Sequence, residues 1–250
     1  MPSAEVLDDA APSDEGRIDA DQEMSLGEED ETEEPAVPAP VLAARGLGHQ
    51  IRGVGRQQPG LGRQIRRETV FQPFDLEVFP GELIVLTGAP GSGRTAALLS
   101  LTGNFRHNQG VVERARTALG LVRGVHEPEP MLTAREHLDE RLRLLRPVGL
   151  PTRVRRERHR AALAEAERRL PFDATAKARD LSPLDRHRLM IELARLADPA
   201  VLAVDDADVQ LTLDEQRDLA DALRATGLAA VLTAREATAY APDRIVEITR

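Results

Sequence analysis

Cysteine is absent from all 250 residues, which excludes a disulfide framework and any thiolate-ligated metal centre. Tryptophan is absent too, and one tyrosine with five phenylalanines make up an aromatic content of 2%. Stacking platforms for single-stranded nucleic acid need interleaved aromatics, so no nucleic-acid partner is expected. Lysine occurs once, at Lys177, among 33 basic residues; basic positions default to arginine here. Long apolar runs are missing as well. Leu83 to Leu86 and Leu228 to Leu232 fall far short of the roughly 20 residues that a bilayer span needs, and the N-terminus is acidic where a secretory leader is basic. The expectation is a chain that neither crosses a membrane nor is exported by that route, working in the reducing cytoplasm. A hydrophobic content of 41% is enough for a core of its own.

Charge is distributed unevenly. Met1 to Pro40 holds 14 Asp or Glu against one basic residue, Arg17. That segment carries −13 of a whole-chain −9, which leaves +4 on Val41 to Arg250. With little apolar surface to offset its conformational entropy, residues 1–40 read as a disordered acidic tail, either simply solubilising or masking an arginine-rich face. From Val41 the pattern gives short strands, a Gly-, Arg- and Gln-rich stretch from Gly53 to Arg67, and a strand over Thr69 to Val78. Pro80 and Gly81 turn the chain into a buried strand, Glu82 to Thr87, followed after a glycine loop by a helix over Thr95 to Thr102.

Further along, Thr133 and Glu136 form a capping box ahead of a helix with Leu138, Leu142 and Leu145 on one face. A second helix is expected from Thr152 to Leu170, a third from Pro183 to Ala197, and a fourth behind the Thr212 and Glu215 capping box, stopping near Gly227. The runs Ala200 to Val204, Leu228 to Leu232 and Arg244 to Ile248 read as strands. Strands separated by helices predict an α/β fold with a mostly parallel sheet covered on both faces.

Gly88, Ala89, Pro90, Gly91, Ser92, Gly93, Arg94 and Thr95 spell GAPGSGRT, one residue away from GxxxxGK[ST]. A strand enters this loop and a helix leaves it, so glycine-permitted amides and the helix N-terminus can converge on a phosphate, with the Thr95 hydroxyl offered to Mg²⁺. Arg94 stands where that pattern has lysine. A guanidinium is a wide planar fork, whereas an ammonium is a compact charge that sits among phosphate oxygens; the expectation is nucleotide held less well positioned. A second anchor is VLAVDD, Val201 to Asp206, which puts Asp205 at the end of a buried strand, where parallel α/β sheets bind ligands and where an acid can hold the Mg²⁺ shell.

With both anchors in place, Leu83 to Ile248 resembles the nucleotide-binding domain of ABC transporters. Leu119 to Leu138 (LGLVRGVHEPEPMLTAREHL) is similar to the segment around that family's Q-loop. Leu181 to Asp205 (LSPLDRHRLMIELARLADPAVLAVD) resembles the signature helix running into the second acidic motif, and VLTAREATAYAPDRIVEI resembles the switch-histidine segment and last strand. The resemblance implies a P-loop NTPase fold of ABC type over residues 41–250: a RecA-like parallel core, an antiparallel β-subdomain and a helical subdomain at about 133–181. It also implies ATP and Mg²⁺ as cofactors, with Thr95 and Asp205 on the metal. The implied assembly is a homo- or heterodimer of such domains acting with a separately encoded transmembrane subunit, which would hold the chain at the membrane.

The family's hydrolytic positions are altered. Gly124 stands at the Q-loop glutamine, Asp206 at the catalytic glutamate, LSPLD (Leu181 to Asp185) at the LSGGQ signature, and Ala234 or Arg235 at the switch histidine. No aromatic occurs between Val41 and Val70 to stack adenine; His49 or Ile51 is nearest that place. Asp206, one methylene shorter than glutamate, must reach farther for the same water, while Ser182, Pro183 and Asp185 suit an ordinary helix start. Residues that hold phosphate and metal are kept; those that position water and close a dimer are lost. The expectation is an ABC-type ATP-binding subunit with weak hydrolysis or, in a different class, a regulatory or scaffolding protein using the fold with ATP as a structural ligand. Arg153 to Arg160, with five arginines, and the cluster Arg63, Arg66 and Arg67 read as solvated faces first, and as sites for acidic partners or anionic surfaces second.

Overall fold

The structure is a computed structural model, and it describes residues 38–54, 65–146, 148–149 and 151–250. Nearly all of the acidic segment, together with Arg63, lies outside the described residues.

Two sheets are built. Strands β1 (Leu42–Val54), β2 (Ile65–Val78) and β4 (Gln109–Arg114) form an antiparallel sheet in the order β2-β1-β4. Where the sequence suggested short strands, β1 is one strand of 13 residues, kept continuous through register shifts against β2 at Ala44, Leu47 and His49. Strands β3 (Leu83–Thr87), β5 (Thr117–Leu119), β6 (Val201–Val204), β7 (Ala229–Thr233) and β8 (Arg244–Glu247) form the second sheet in the order β5-β6-β7-β3-β8, with every pair parallel. Neither β4 nor β5 was anticipated. Both are short edge strands, and β4 is mostly exposed, so neither carries a strong apolar signal.

The described residues form the α-helices α1 (Arg94–Leu101), α2 (Ala134–Leu144), α3 (Thr152–Arg169), α4 (Pro183–Arg195) and α5 (Leu213–Arg224). Both expected capping boxes form: Thr133 and Thr212 each accept from the amide of the glutamate three residues on, and that glutamate caps back. The apolar stripe of α2 fades toward its end, with Leu138 fully buried and Leu145 38% exposed.

Strand alternation divides the core. Leu83 and Val85 of β3, with Leu202, Val204, Ala230 and Leu232, pack against α4 and α5. Ile84 and Leu86, with Val201, Ala203 and Val231, pack against α1 and the antiparallel sheet, where Leu42, Leu47 and Phe71 are buried. α1 is thus held between the two sheets through Leu98 and Leu101, each contributing on the order of 2 kcal/mol by burial. A third cluster joins Leu138 of α2, Ala166 of α3 and Leu189 and Met190 of α4. Buried Glu192 fastens this region, accepting from Arg169 of α3 at 2.8 Å and from Arg195 at 2.7 Å.

Candidate functional site

The ends of β3, β6 and β7 meet at one edge of the parallel sheet, and the glycine loop lies across them. Gly88 and Gly93 have to be glycine because backbone comes too close. A Cβ on Gly88 would stand 2.3 Å from the Ile248 carbonyl oxygen, and one on Gly93 2.4 Å from that of Val70, with φ of 91° at Gly93 adding the left-handed conformation. The loop is therefore anchored beneath, while Ala89, Pro90 and Gly91 are exposed above. Gly93 is the N-cap of α1 and has no side chain to cap with. Ser92 turns inward, 5% exposed, and its Oγ has no partner among the described residues.

Asp205 is 2% exposed at the end of β6. The Thr95 Oγ1 lies 2.9 and 3.1 Å from its two carboxylate oxygens, and Thr233 Oγ1 donates to Oδ1 at 2.6 Å. Among the described residues, no cation pairs with Asp205. A buried carboxylate served only by hydroxyls is a poor arrangement by itself, and one carboxylate beside one hydroxyl is the donor set that a hard divalent cation shares with substrate phosphates and water. The residues present therefore fit Mg²⁺.

Arg94 is folded across this edge with its side chain 11% exposed. Its Nη1 donates to the carbonyl oxygens of Gly88 at 3.0 Å and Ala234 at 2.7 Å, and its Nη2 lies 3.5 Å from Asp206 Oδ1. One guanidinium thus ties the loop to the ends of both β6 and β7. Asp206 takes a left-handed conformation with φ of 43°, and its amide donates to Thr233 Oγ1 at 2.7 Å. Burial, with Asp205 next to it, pushes the Asp206 carboxyl above the usual carboxylate range, and Arg94 opposes that only in part.

Thr233 was missed in the sequence. It is fully buried and its hydroxyl joins both acids; the sequence shows it at the end of an apolar run but not beside the two aspartates, which are 27 and 28 residues away. The other altered positions resolve into structural roles. Gly124 sits in a turn with φ of 69°, its amide donating to Glu127 Oε1 at 2.7 Å. Ala234 accepts from Arg94 on its carbonyl and donates its amide to the Leu86 carbonyl at 3.2 Å, and Arg235 pairs with Asp208 at 3.0 Å. Ser182 accepts from the Asp185 amide at 3.1 Å and donates to its carboxylate at 2.8 Å, the helix start expected for α4. His49 packs between Phe71 and Phe105, while Ile51 is 45% exposed. Arg153 is paired with Glu157 on α3, which lies away from the loop in sequence and in packing.

A family model described as ABC transporter matches residues 71–209. Among curated proteins, the chain is 34% identical over 171 residues to the Beta-(1-->2)glucan export ATP-binding/permease protein NdvA of Rhodopseudomonas palustris (strain BisB5), covering 60% of this chain and 28% of that one. It is 31% identical to the Cytochrome c biogenesis ATP-binding export protein CcmA of Cupriavidus necator, over 78% of this chain and 83% of that one. The Zinc import ATP-binding protein ZnuC of Jannaschia sp. (strain CCS1) is 30% identical over 71% of this chain and 72% of its own length. The fold matches the ATP-binding cassette MJ0796, solved as a dimer in a post-hydrolysis state bound to ADP and Pi, with a TM-score of 0.62 and 16% identity over 83% of this chain and 94% of that one. Among the described residues, no helix is long and apolar enough to cross a membrane.

Proposed function

Since this chain belongs to the ABC transporter family, we propose that it is an ATP-binding subunit that works with a separate membrane protein and hydrolyses ATP slowly. Residues 41–250 form the ABC-type domain in this reading, with the third apolar cluster as the core of a helical subdomain at about 133–181 and residues 1–40 as an acidic tail. The observation that carries the proposal is the division of labour at the sheet edge. Among the described residues, no cation serves the Thr95 and Asp205 pair, while Arg94 is spent on two carbonyls and Asp206.

Gly88 to Gly93 would receive the phosphates on backbone amides, and the uncapped start of α1 favours the same negative charge. Thr95 and Asp205 would hold Mg²⁺, which when bound supplies positive charge to the phosphate oxygens. Arg94 must leave the Gly88 and Ala234 carbonyls before its charge can reach a phosphate, so part of the binding energy is consumed in breaking those bonds. Asp206, held partly by Arg94, is a short and compromised base for a water. Gly124 has no side chain to orient one, and at the place of the switch histidine Ala234 offers only a methyl and Arg235 is paired with Asp208. Binding is retained and turnover is slow.

Calorimetry and phosphate-release assays with Mg²⁺ and ATP test this. The chain should bind MgATP with little release, and Arg94→Lys should tighten binding by about tenfold, because the compact ammonium no longer spans to Ala234 and Asp206. Fast turnover that vanishes in Asp205→Asn would overturn the claim of slow hydrolysis. No binding by either the chain or Arg94→Lys would overturn the site.

A further inference from the structure

A second polar cavity lies apart from the glycine loop, between the turn that follows β5 and the first turn of α4. Its volume is about 240 Å³, and its walls include Arg123, Glu127, Arg179, Arg186, His187 and Gln210. That is below the roughly 300–1,000 Å³ of pockets that take drug-sized ligands, a size that suits a small ion.

Three guanidinium groups and one carboxylate line it, and of these, among the described residues, an ion pair within 4 Å is formed only by Arg179. Arg123 Nη2 donates to the Val209 carbonyl at 3.0 Å and to Gln210 Oε1 at 3.3 Å, and its Nε is buried without a partner. Arg186 donates from Nε to the Ala178 carbonyl at 3.1 Å and from Nη2 to that of Arg179 at 2.9 Å. Among the described residues neither forms an ion pair. Arg179 pairs with Asp180 at 3.5 Å, an exposed pair, and lies 3.4 Å from Met131 Sδ, and the Glu127 carboxylate is engaged by the Gly124 amide. The guanidiniums are thus held in place by carbonyls and amides, which orient without neutralising. His187 adds an independent observation: it is 2% exposed, it lines the cavity, and its Nδ1 has no partner among the described residues. Buried polar nitrogens with nothing to bond are rare and point to a missing hydrogen-bond partner.

We propose that this pocket is a binding site for a small tetrahedral oxyanion of the phosphate class, held by Arg123, Arg179 and Arg186 with His187 at its wall. A tetrahedral anion can accept from donors that approach from separate elements, as these do, whereas a planar carboxylate is matched by one fork. The site shares no residue with the glycine loop and does not rest on the nucleotide reading.

Titration calorimetry of the full chain with inorganic phosphate, in saturating MgADP, tests it. Phosphate should bind, and Arg123→Gln and Arg179→Gln should each weaken it by about tenfold or more. Arg179 is exposed at the surface, so its variant serves if Arg123→Gln does not fold. A phosphate monoester that binds as tightly would make the ligand a terminal phosphate group; binding of phosphate alone would make it the free ion. The proposal is overturned if phosphate does not bind, or if both variants bind as the parent chain does. Competition by MgADP would also overturn it, since phosphate would then be occupying the loop; if MgADP itself fails to bind, the arginine variants still report on the pocket alone.

Discussion

Two helix N-termini in this molecule have opposite fates. α1 begins behind Gly93, which offers its first amides no side chain. α4 begins behind Ser182, with Pro183 removing one amide donor and Asp185 lying against the dipole, bonded back to Ser182 at 2.8 Å. The first helix leaves its first amides without a side-chain cap, as the proposed anion site requires; the second satisfies itself from its own first turn. On the proposed function the glycine loop is a start left open for a ligand, whereas the capped start of α4 is closed by its own residues.

Closing the open end should have the largest effect. Gly93→Ala puts a methyl against the Val70 carbonyl and forces a left-handed alanine; a loss of about 3 kcal/mol or more is expected in denaturant melts, with phosphate-loop ligands no longer stabilising the fold. A stability unchanged from the parent chain would mean that β2 does not hold the loop as described. Opening the closed end should do less. Ser182→Ala should lower stability by about 1 kcal/mol and leave MgATP affinity unaltered, whereas a drop in affinity would show that the start of α4 still serves nucleotide.

The smallest effect is expected at Asp206. Because its folded carboxyl is pushed above the ordinary range by burial and by Asp205, the native state holds that proton more tightly, and stability declines as pH rises through the raised value. Asp206→Asn should therefore give a slight rise in Tm at neutral pH, and the gain should close as the pH falls through the carboxylate range and the parent residue takes up its proton. Asparagine also accepts the left-handed backbone. A lower Tm at neutral pH would mean that the contact with Arg94 outweighs burial.

Much of the fold was legible because its signals are local. The buried strands at Leu83 and Val201, the capping boxes at Thr133 and Thr212, and the helix start at Ser182 each declare themselves within a few residues, and each stands where expected. The edge strands β4 and β5 escaped, since an edge strand takes its hydrogen bonds from a partner far along the chain. At the site, the loop and Asp205 could be identified from glycine spacing and a strand-end acid. Thr233 could not, because its meaning depends on β7 lying beside β6.

The chain of residues determined which groups are on hand: glycines where a methyl cannot stand, an acid behind a buried strand, and an arginine in place of lysine. Only the tertiary structure decided what Arg94 does. A guanidinium on a flexible stem takes whatever acceptors come within reach, and the acceptors it found, the Ala234 carbonyl and Asp206, are more than a hundred residues away in sequence and adjacent only because parallel strands end at one edge.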